Sequence, residues 1–314
     1  MFEFFMYPVS GIMKFWHWLI SGFVDESAAW LVSIFLLVLT VRGIVIPLNW
    51  MSVRSARIGV LMRPENNHIS KEMNHASTKE EMAALIKKQQ DLMKSYNYKP
   101  AAGCIPPLIM IPVFIGLYQV ILRMSKIDQD SKTVGMLNAD DVAAFRKTTF
   151  YGAPITDFAR EHGDLLNPVL IAAIVFTMAN SIIALIRSFR TTQFDLKLNR
   201  RVFIFMGILL IIVPFFLWHL AHNGPIPVAI IIYWGCAYWI TLIQTIIFEI
   251  MLREFYPLTD EVNAMRRESL QNWRNKEKQP ALSKEEKKRV NRLRMEAHKH
   301  LKSSNQQEEP KASE

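Results

Sequence analysis

The sequence is poor in the residues that build chemistry. Only two of its 314 residues are cysteine, Cys104 and Cys236, and they lie in different apolar runs. That leaves no disulfide framework and no zinc-ligand spacing, so each reads as a small apolar packing residue. No G-x-x-x-x-G-K-[ST] or other nucleotide fingerprint occurs, which removes an energy-coupling motif from this chain. H-E-x-x-H, G-x-S-x-G and an acidic pair within an apolar run are missing as well. In "HLAH", His219 and His222 stand at i, i+3 without a third ligand nearby, and they read as an anchor pair rather than a metal site. Catalysis, metals and cofactors are therefore not expected.

A secretory signal is not legible either. The opening "MFEFFMYPVSGIMKFWHWLISGF" places Glu3 before its one cation, Lys14, and is aromatic throughout. Residues 1–27 are expected to be an external interfacial segment with Trp16 and Trp18 at headgroup depth.

What the chain has is apolar length. Hydrophobic residues make up 51% of it, concentrated in runs of about 18 or more, enough for a helix to cross ~30 Å of hydrocarbon. Five spans are predicted, over residues 28–48, 104–124, 165–186, 202–221 and 226–248. Lys and Arg number nine in the connection 49–103, five in 125–164, five in 187–201, none between spans four and five, and fifteen after Phe248. Alternate segments thus carry 29 against 6, and the positive-inside rule puts the basic set in the cytoplasm with the N-terminus outside. The chain reads as an all-α, multi-pass protein of a bacterial cell membrane.

Two basic segments call for structure or partners. In the connection 49–103, Thr78 and Glu81 form a capping-box pattern ahead of Met82, Leu85, Ile86, Gln89 and Met93 at helical spacing. Val53–Met62 is also helix-compatible, and "RPENNH" is expected to break it, giving a cytoplasmic helical hairpin. Its Met-rich face is either its own seam or an adaptable docking surface. The tail 249–314 reads either as a solvated, partly disordered segment or as a contact for anionic phosphate, of lipid headgroups or of an RNA backbone. No sequence-specific nucleic-acid reading is expected.

One cation sits inside a span. "LLVLTVRGIVIP" carries Arg42 six residues before Leu48, so about 9 Å into the membrane. A central Arg costs about 2.5–3.5 kcal/mol on insertion scales, and the twelve Leu, Ile, Val and Phe around it return about 4–7 kcal/mol. The span can insert, and at that depth the side chain can snorkel. Asn180 and Thr177 on span three, with Thr241 and Gln244 on span five, fall at the same level, where single polar residues serve as inter-helix glue. Together with an Arg that has no acid in any span they favour a wet, positive cavity open to the cytoplasm. Such a cavity suits polar segments of a substrate protein, or an anionic solute passing through a transporter or channel. No internal repeat of the transporter kind is visible.

The stretch "YNYKPAAGCIPPLIMIPVFIGLY" resembles the opening of the second core span of the YidC/Oxa/Alb membrane-protein insertases, of the single-membrane bacterial type. The matching residues are Pro100, Ala102, Gly103, Cys104, Pro106, Leu108, Pro112, Phe114, Leu117 and Tyr118. "LTVRGIVIPLN", holding Arg42, and Pro227, Tyr233, Trp234 and Gln244 of span five extend the likeness. Met110 stands where the family commonly has Gln, and "TMANSI" where many relatives carry Gln. The resemblance implies five transmembrane helices around a cytoplasm-facing hydrophilic groove, with Arg42 as its positive centre and Trp234 in its wall. It implies an insertase and chaperone for nascent membrane proteins, working alone or with the Sec translocon. The hairpin would receive substrates, and the basic tail would contact the ribosome.

Overall fold

The computed structural model describes residues 3–125, 133–275 and 283–308. Among these the order is α1 (Met6–Ile20), α2 (Glu26–Leu61), α3 (Arg63–His75), α4 (Lys79–Ser95), α5 (Ile105–Ser125) and α6 (Ala139–Lys147). A hairpin of β1 (Thr149–Phe150) and β2 (Ala153–Pro154) follows, then α7 (Gly163–Thr191), α8 (Lys197–Asn223), α9 (Val228–Phe255), α10 (Asp260–Arg274) and α11 (Lys284–Glu308). Five helices are long and apolar enough to cross a membrane: α2, the 3-10 turn at Pro100 continuing into α5, α7, α8 and α9. This is an all-α membrane protein. Prolines lie inside four of these helices, Pro47 in α2, Pro112 in α5, Pro168 in α7 and Pro214 in α8, while α9 has none.

The chain folds as two compact units. The first draws on residues up to Val53, Ala101–Phe189 and Val202–Leu252. Trp30, Ile34, Leu37, Val38 and Val41 form one buried face of α2, at helical spacing. They share a core with Leu117, Val120 and Ile121 of α5, Leu166 and Leu170 of α7, and the run Val228–Tyr233 of α9. By contrast α8 buries only Leu217 and Ala221, so most of its surface is left for lipid.

The N-terminal helix joins this core. Met6, Val9 and Met13 of α1 are buried in it. Gly116 makes the approach possible, because a Cβ there would run into the backbone carbonyl of Phe5. The aromatic pair expected at headgroup depth separates: Trp18 is 71% exposed, whereas the Trp16 indole donates to the Thr40 hydroxyl of α2 at 2.9 Å.

The connection before α7 is structured where it is described. Asn138 and Asp141 exchange hydrogen bonds as a capping box for α6, and Phe145 of that helix is fully buried against Trp30. The hairpin pairs Thr149 with Pro154 and Phe150 with Ala153, turning through Tyr151 and Gly152 at positive φ. Beyond it, the carbonyls of Ile155 and Asp157 accept from Ala229 and Val228, and the Ala159 N–H donates to Ile226. These bonds fasten the connection to the first turn of α9.

The second unit comprises Arg54–Pro100, Arg190–Arg201 and the chain from Arg253 onward. Here the sequence expectation needs correcting. The motif "RPENNH" does stop the preceding helix, since α2 ends at Leu61, but it also opens α3, with Pro64 in the first turn, where a missing N–H costs nothing. The hairpin is therefore α3 against α4, not Val53–Met62 against α4. The expected box at α4 is also redistributed: the Glu81 N–H donates to the Thr78 hydroxyl, but the Glu81 carboxylate accepts from Ser77. The tail, within its described residues, is helical rather than partly disordered. The α10 helix lies against the segment after α7, with Trp273 stacked on Phe194 and the Ser269 hydroxyl donating to Asp195 at 2.6 Å. The α11 helix packs on α3 and α4.

Candidate functional site

Arg42 sits on α2 beside the buried Val38, Val41 and Val45 and is itself half-buried. Its Nε is buried without a hydrogen-bond partner among the described residues. The titratable groups that act on it are the phenols of Tyr233 and Tyr238, both on α9, and neither is an acid. Among the described residues, therefore, no acid figures among the groups that act on this permanent cation. Guanidinium groups in apolar surroundings normally pair with carboxylates, so the site has the charge to receive one.

The other residues expected at this level fall into two groups, one on each side of α9. On the α2 side, Gln244 is 8% exposed and its Oε1 has no hydrogen-bond partner among the described residues. One turn further along α9, Phe248 packs on Trp50 of α2, ring centroids 5.2 Å apart, which gives the direction that Gln244 faces. On the α7 side, Asn180 donates to the Tyr238 carbonyl at 3.2 Å and accepts from the Thr245 hydroxyl at 3.0 Å. Tyr238 links the groups, its carbonyl held by Asn180 and its phenol acting on Arg42.

The hydroxyls are spent locally. Thr177 is buried and donates to Ala173, and half-buried Thr241 donates to Ala237, both at 2.7 Å within their own helices. Trp234 is half-buried next to Tyr233. Glu249, just past span five, pairs with Arg187 at 3.1 Å. Tyr238 and Thr245 were not among the residues singled out from the sequence. The spacing of Thr245 one turn from Thr241 was a usable signal; Tyr238 carried none, being one more aromatic in an aromatic-rich span.

Of the motif residues, Pro100 and Gly103 lie in the 3-10 turn Pro100–Cys104, whose last residue is Cys104. Pro106 is buried in the first turn of α5, and Pro112 lies inside that helix. The histidines of "HLAH" are occupied: His222 meets Asn167 at 3.0 Å and the Trp218 carbonyl, and His219 meets Asn223. A separate cluster, Asp157, Glu161 and His162, brings three ligand atoms within 4.8 Å of one another outside the spans. Its His162 is already paired with Asp157 at 3.0 Å. Between the first half of α7 and α9 lies an open apolar pocket of about 780 Å³, lined by Leu165, Pro168, Val169, Phe176 and Trp239 and by Phe150 and Tyr151 of the hairpin.

Comparison with known proteins identifies the family of the chain. The model of the 60Kd inner membrane protein family matches residues 21–254, which takes in every span. The "Membrane protein insertase YidC" of Corynebacterium glutamicum is 32% identical over 300 residues, covering 89% of this chain and 71% of that protein. Its counterpart from Corynebacterium efficiens is 33% identical over 282 residues, covering 83% and 71%. The one from Mycobacterium tuberculosis is 26% identical over 257 residues, covering 74% and 68%. With five apolar helices in the family's order and a half-buried arginine on the first, the chain is a multi-pass bacterial membrane protein that belongs to the 60Kd inner membrane protein family, the YidC/Oxa/Alb group.

Proposed function

We propose that this chain is a membrane protein insertase and chaperone, facilitating the entry of integral membrane proteins into the bilayer and their folding there. The observation that carries the reading is Arg42, half-buried on an apolar helix with its Nε unpartnered and no acid acting on it among the described residues. An acidic or polar flank of a nascent chain finds there a counter-charge it would otherwise lack in hydrocarbon. Gln244, with a buried oxygen lacking a partner, offers a further polar contact. The energy for insertion comes from moving the substrate's apolar segment into lipid, and the groove lowers the barrier for its polar flank. The pocket between the first half of α7 and α9 provides an apolar wall for that segment.

In this reading the groove formed around Arg42 by Thr177, Asn180, Trp234, Thr241, Gln244 and the two tyrosines opens toward the cytoplasm. The N-terminus is outside and the tail inside. Lipids surround the spans, the ribosome engages the basic tail, and the Sec translocon is a further partner.

The test is depletion and rescue in a bacterium, scoring insertion of a small membrane protein with an acidic external tail. Wild type is expected to rescue and Arg42→Ala to fail. Failure of the wild type removes the function; full rescue by Arg42→Ala removes the groove mechanism.

A further inference from the structure

The open pocket between α7 and α9 has a definite length. Its α7 wall runs from Asp164 through Pro168 and Ala172 to Phe176, one stripe at helical spacing. Twelve residues separate the two ends, about 18 Å along the helix. The α9 wall runs beside it from Ile232 to Trp239. One leaflet of hydrocarbon is about 15 Å deep, half of the whole core. The pocket therefore spans one leaflet and stops, which is the reach of a lipid acyl chain. A membrane-crossing helix is about twice as long as one leaflet is deep and would overrun it.

The pocket is open sideways. Leu165 is 47% exposed and Trp239 44%, so hydrocarbon has access along the stripe. At mid-depth, Gly235 leaves room that packing does not call for. A Cβ there would meet only Ala173 and Val169 carbons at 3.9 Å, an ordinary contact. Glycine weakens a helix interior, and at this position the missing side chain deepens the pocket.

The end at Asp164 differs from the rest. Among the described residues Asp164 is the one charged group in the lining, and no hydrogen bond or ion pair holds its carboxylate. The hairpin, fastened through Ile155 to the first turn of α9, brings Phe150 and Tyr151 to this same end. Their ring centroids are 4.7 Å apart, and Tyr151 is 74% exposed. A free carboxylate with aromatic rings in the same rim suits an ammonium group. The carboxylate accepts its hydrogen bonds, and the ring faces attract its charge. An anionic headgroup without an amine would meet like charge there.

We propose that this pocket is a phospholipid site. One acyl chain lies along α7 and α9 past Gly235, and an ethanolamine headgroup meets Asp164 at the rim. In the proposed orientation the lipid belongs to the outer leaflet. The wall offered to an inserting segment is then part protein and part lipid. The site does not depend on the insertase reading.

The test places the full-length protein in nanodiscs of phosphatidylethanolamine and phosphatidylglycerol in equal amounts. Either lipid in turn carries a diazirine near the end of one acyl chain, and adducts are mapped by mass spectrometry. The lipid-facing α8 helix is the reference for chance contact. Peptides containing Phe176 and Trp239 are expected to take up the ethanolamine lipid about tenfold more than α8 does, and about tenfold more than they take up the glycerol lipid. Gly235→Leu, which fills the pocket, should bring that labelling down to the α8 level. Asp164→Asn should keep the chain adduct and lose the preference for ethanolamine. Four results overturn the proposal: wild-type pocket labelling no higher than that of α8, equal labelling by the two lipids, labelling of Gly235→Leu equal to wild type, or an unchanged headgroup preference in Asp164→Asn. Adducts of a substrate segment on these peptides, without lipid adducts, overturn it too, because the groove then belongs to the substrate. Wild-type labelling of α8 shows that a variant is folded, and Asp164→Asn, at an exposed position, decides the headgroup whether or not Gly235→Leu folds.

Discussion

At the scale of single residues, the polar layer mixes groups that hold the helices together with groups left open. Asn180 belongs to the first kind, with hydrogen bonds to Phe176, Tyr238 and Thr245. Asn180→Ala should lower stability by about 0.6–1.7 kcal/mol, the range measured for inter-helix hydrogen bonds in membranes, as read by thermal unfolding in nanodiscs. Gln244 belongs to the second. A buried carbonyl oxygen without a donor costs about 1–3 kcal/mol, so Gln244→Leu should raise stability by a comparable amount while slowing insertion of an acidic-tailed substrate. Stabilisation with unchanged insertion would assign Gln244 to packing. The sequence assigns Arg42, Asn180, Thr177, Thr241 and Gln244 to one expected level by counting residues along predicted spans. It did not tell which were already satisfied, since hydrogen-bond partners depend on helix rotation. Thr177 and Thr241 turn their hydroxyls onto their own helices, which no spacing rule foretells.

At the scale of elements, long apolar runs were easy to place because a span must satisfy its own backbone. Shorter elements were harder. "RPENNH" stops one helix and starts the next, because proline interrupts a helix yet also begins one well, and the sequence alone shows only the stop. The α11 helix was missed because its stripe of Val290, Leu293, Ala297 and Leu301 is thin and interrupted by cations, so the pattern is readable only with its partner surface in view. Two predictions belong here. Gly116→Ala would drive a methyl into the Phe5 backbone, which has no rotamer to escape through. It should cost about 1–3 kcal/mol and make the α1–α2 link more susceptible to protease. The second concerns the cap of α11. Hydrogen bonds from the Ser283 backbone and hydroxyl hold the Glu286 carboxyl below the usual glutamate range. A depressed pKa stabilises the cap above the ordinary value and loses that contribution as pH falls through the lowered one. Protection of the amides at the start of α11, corrected for their intrinsic exchange rate, should therefore fall as the pH drops below the ordinary glutamate range, and Glu286→Gln should remove that dependence.

At the scale of the whole molecule, charge is distributed by connection: 29 Lys and Arg in one alternate set and 6 in the other. That asymmetry predicts the orientation. With Cys104 and Cys236 replaced, a membrane-impermeant maleimide should label Ser21→Cys on intact cells and Ser95→Cys only after lysis. The reverse pattern would invert the proposed topology and direct the groove to the wrong side. Stiffness is distributed as well. Four of the spanning helices contain a proline and so lack one rung of the backbone ladder, whereas α9 keeps every rung. Tyr233, Tyr238, Gln244 and Thr245 all ride on that helix, and its first turn is clamped by the Ile155–Ala159 segment. Mechanically, α9 is a keel. If the proposed groove holds, neighbouring staves would bend at Pro47, Pro112, Pro168 and Pro214 to admit a guest of variable girth, while the four side chains on α9 would keep a constant spacing against which each guest is gauged.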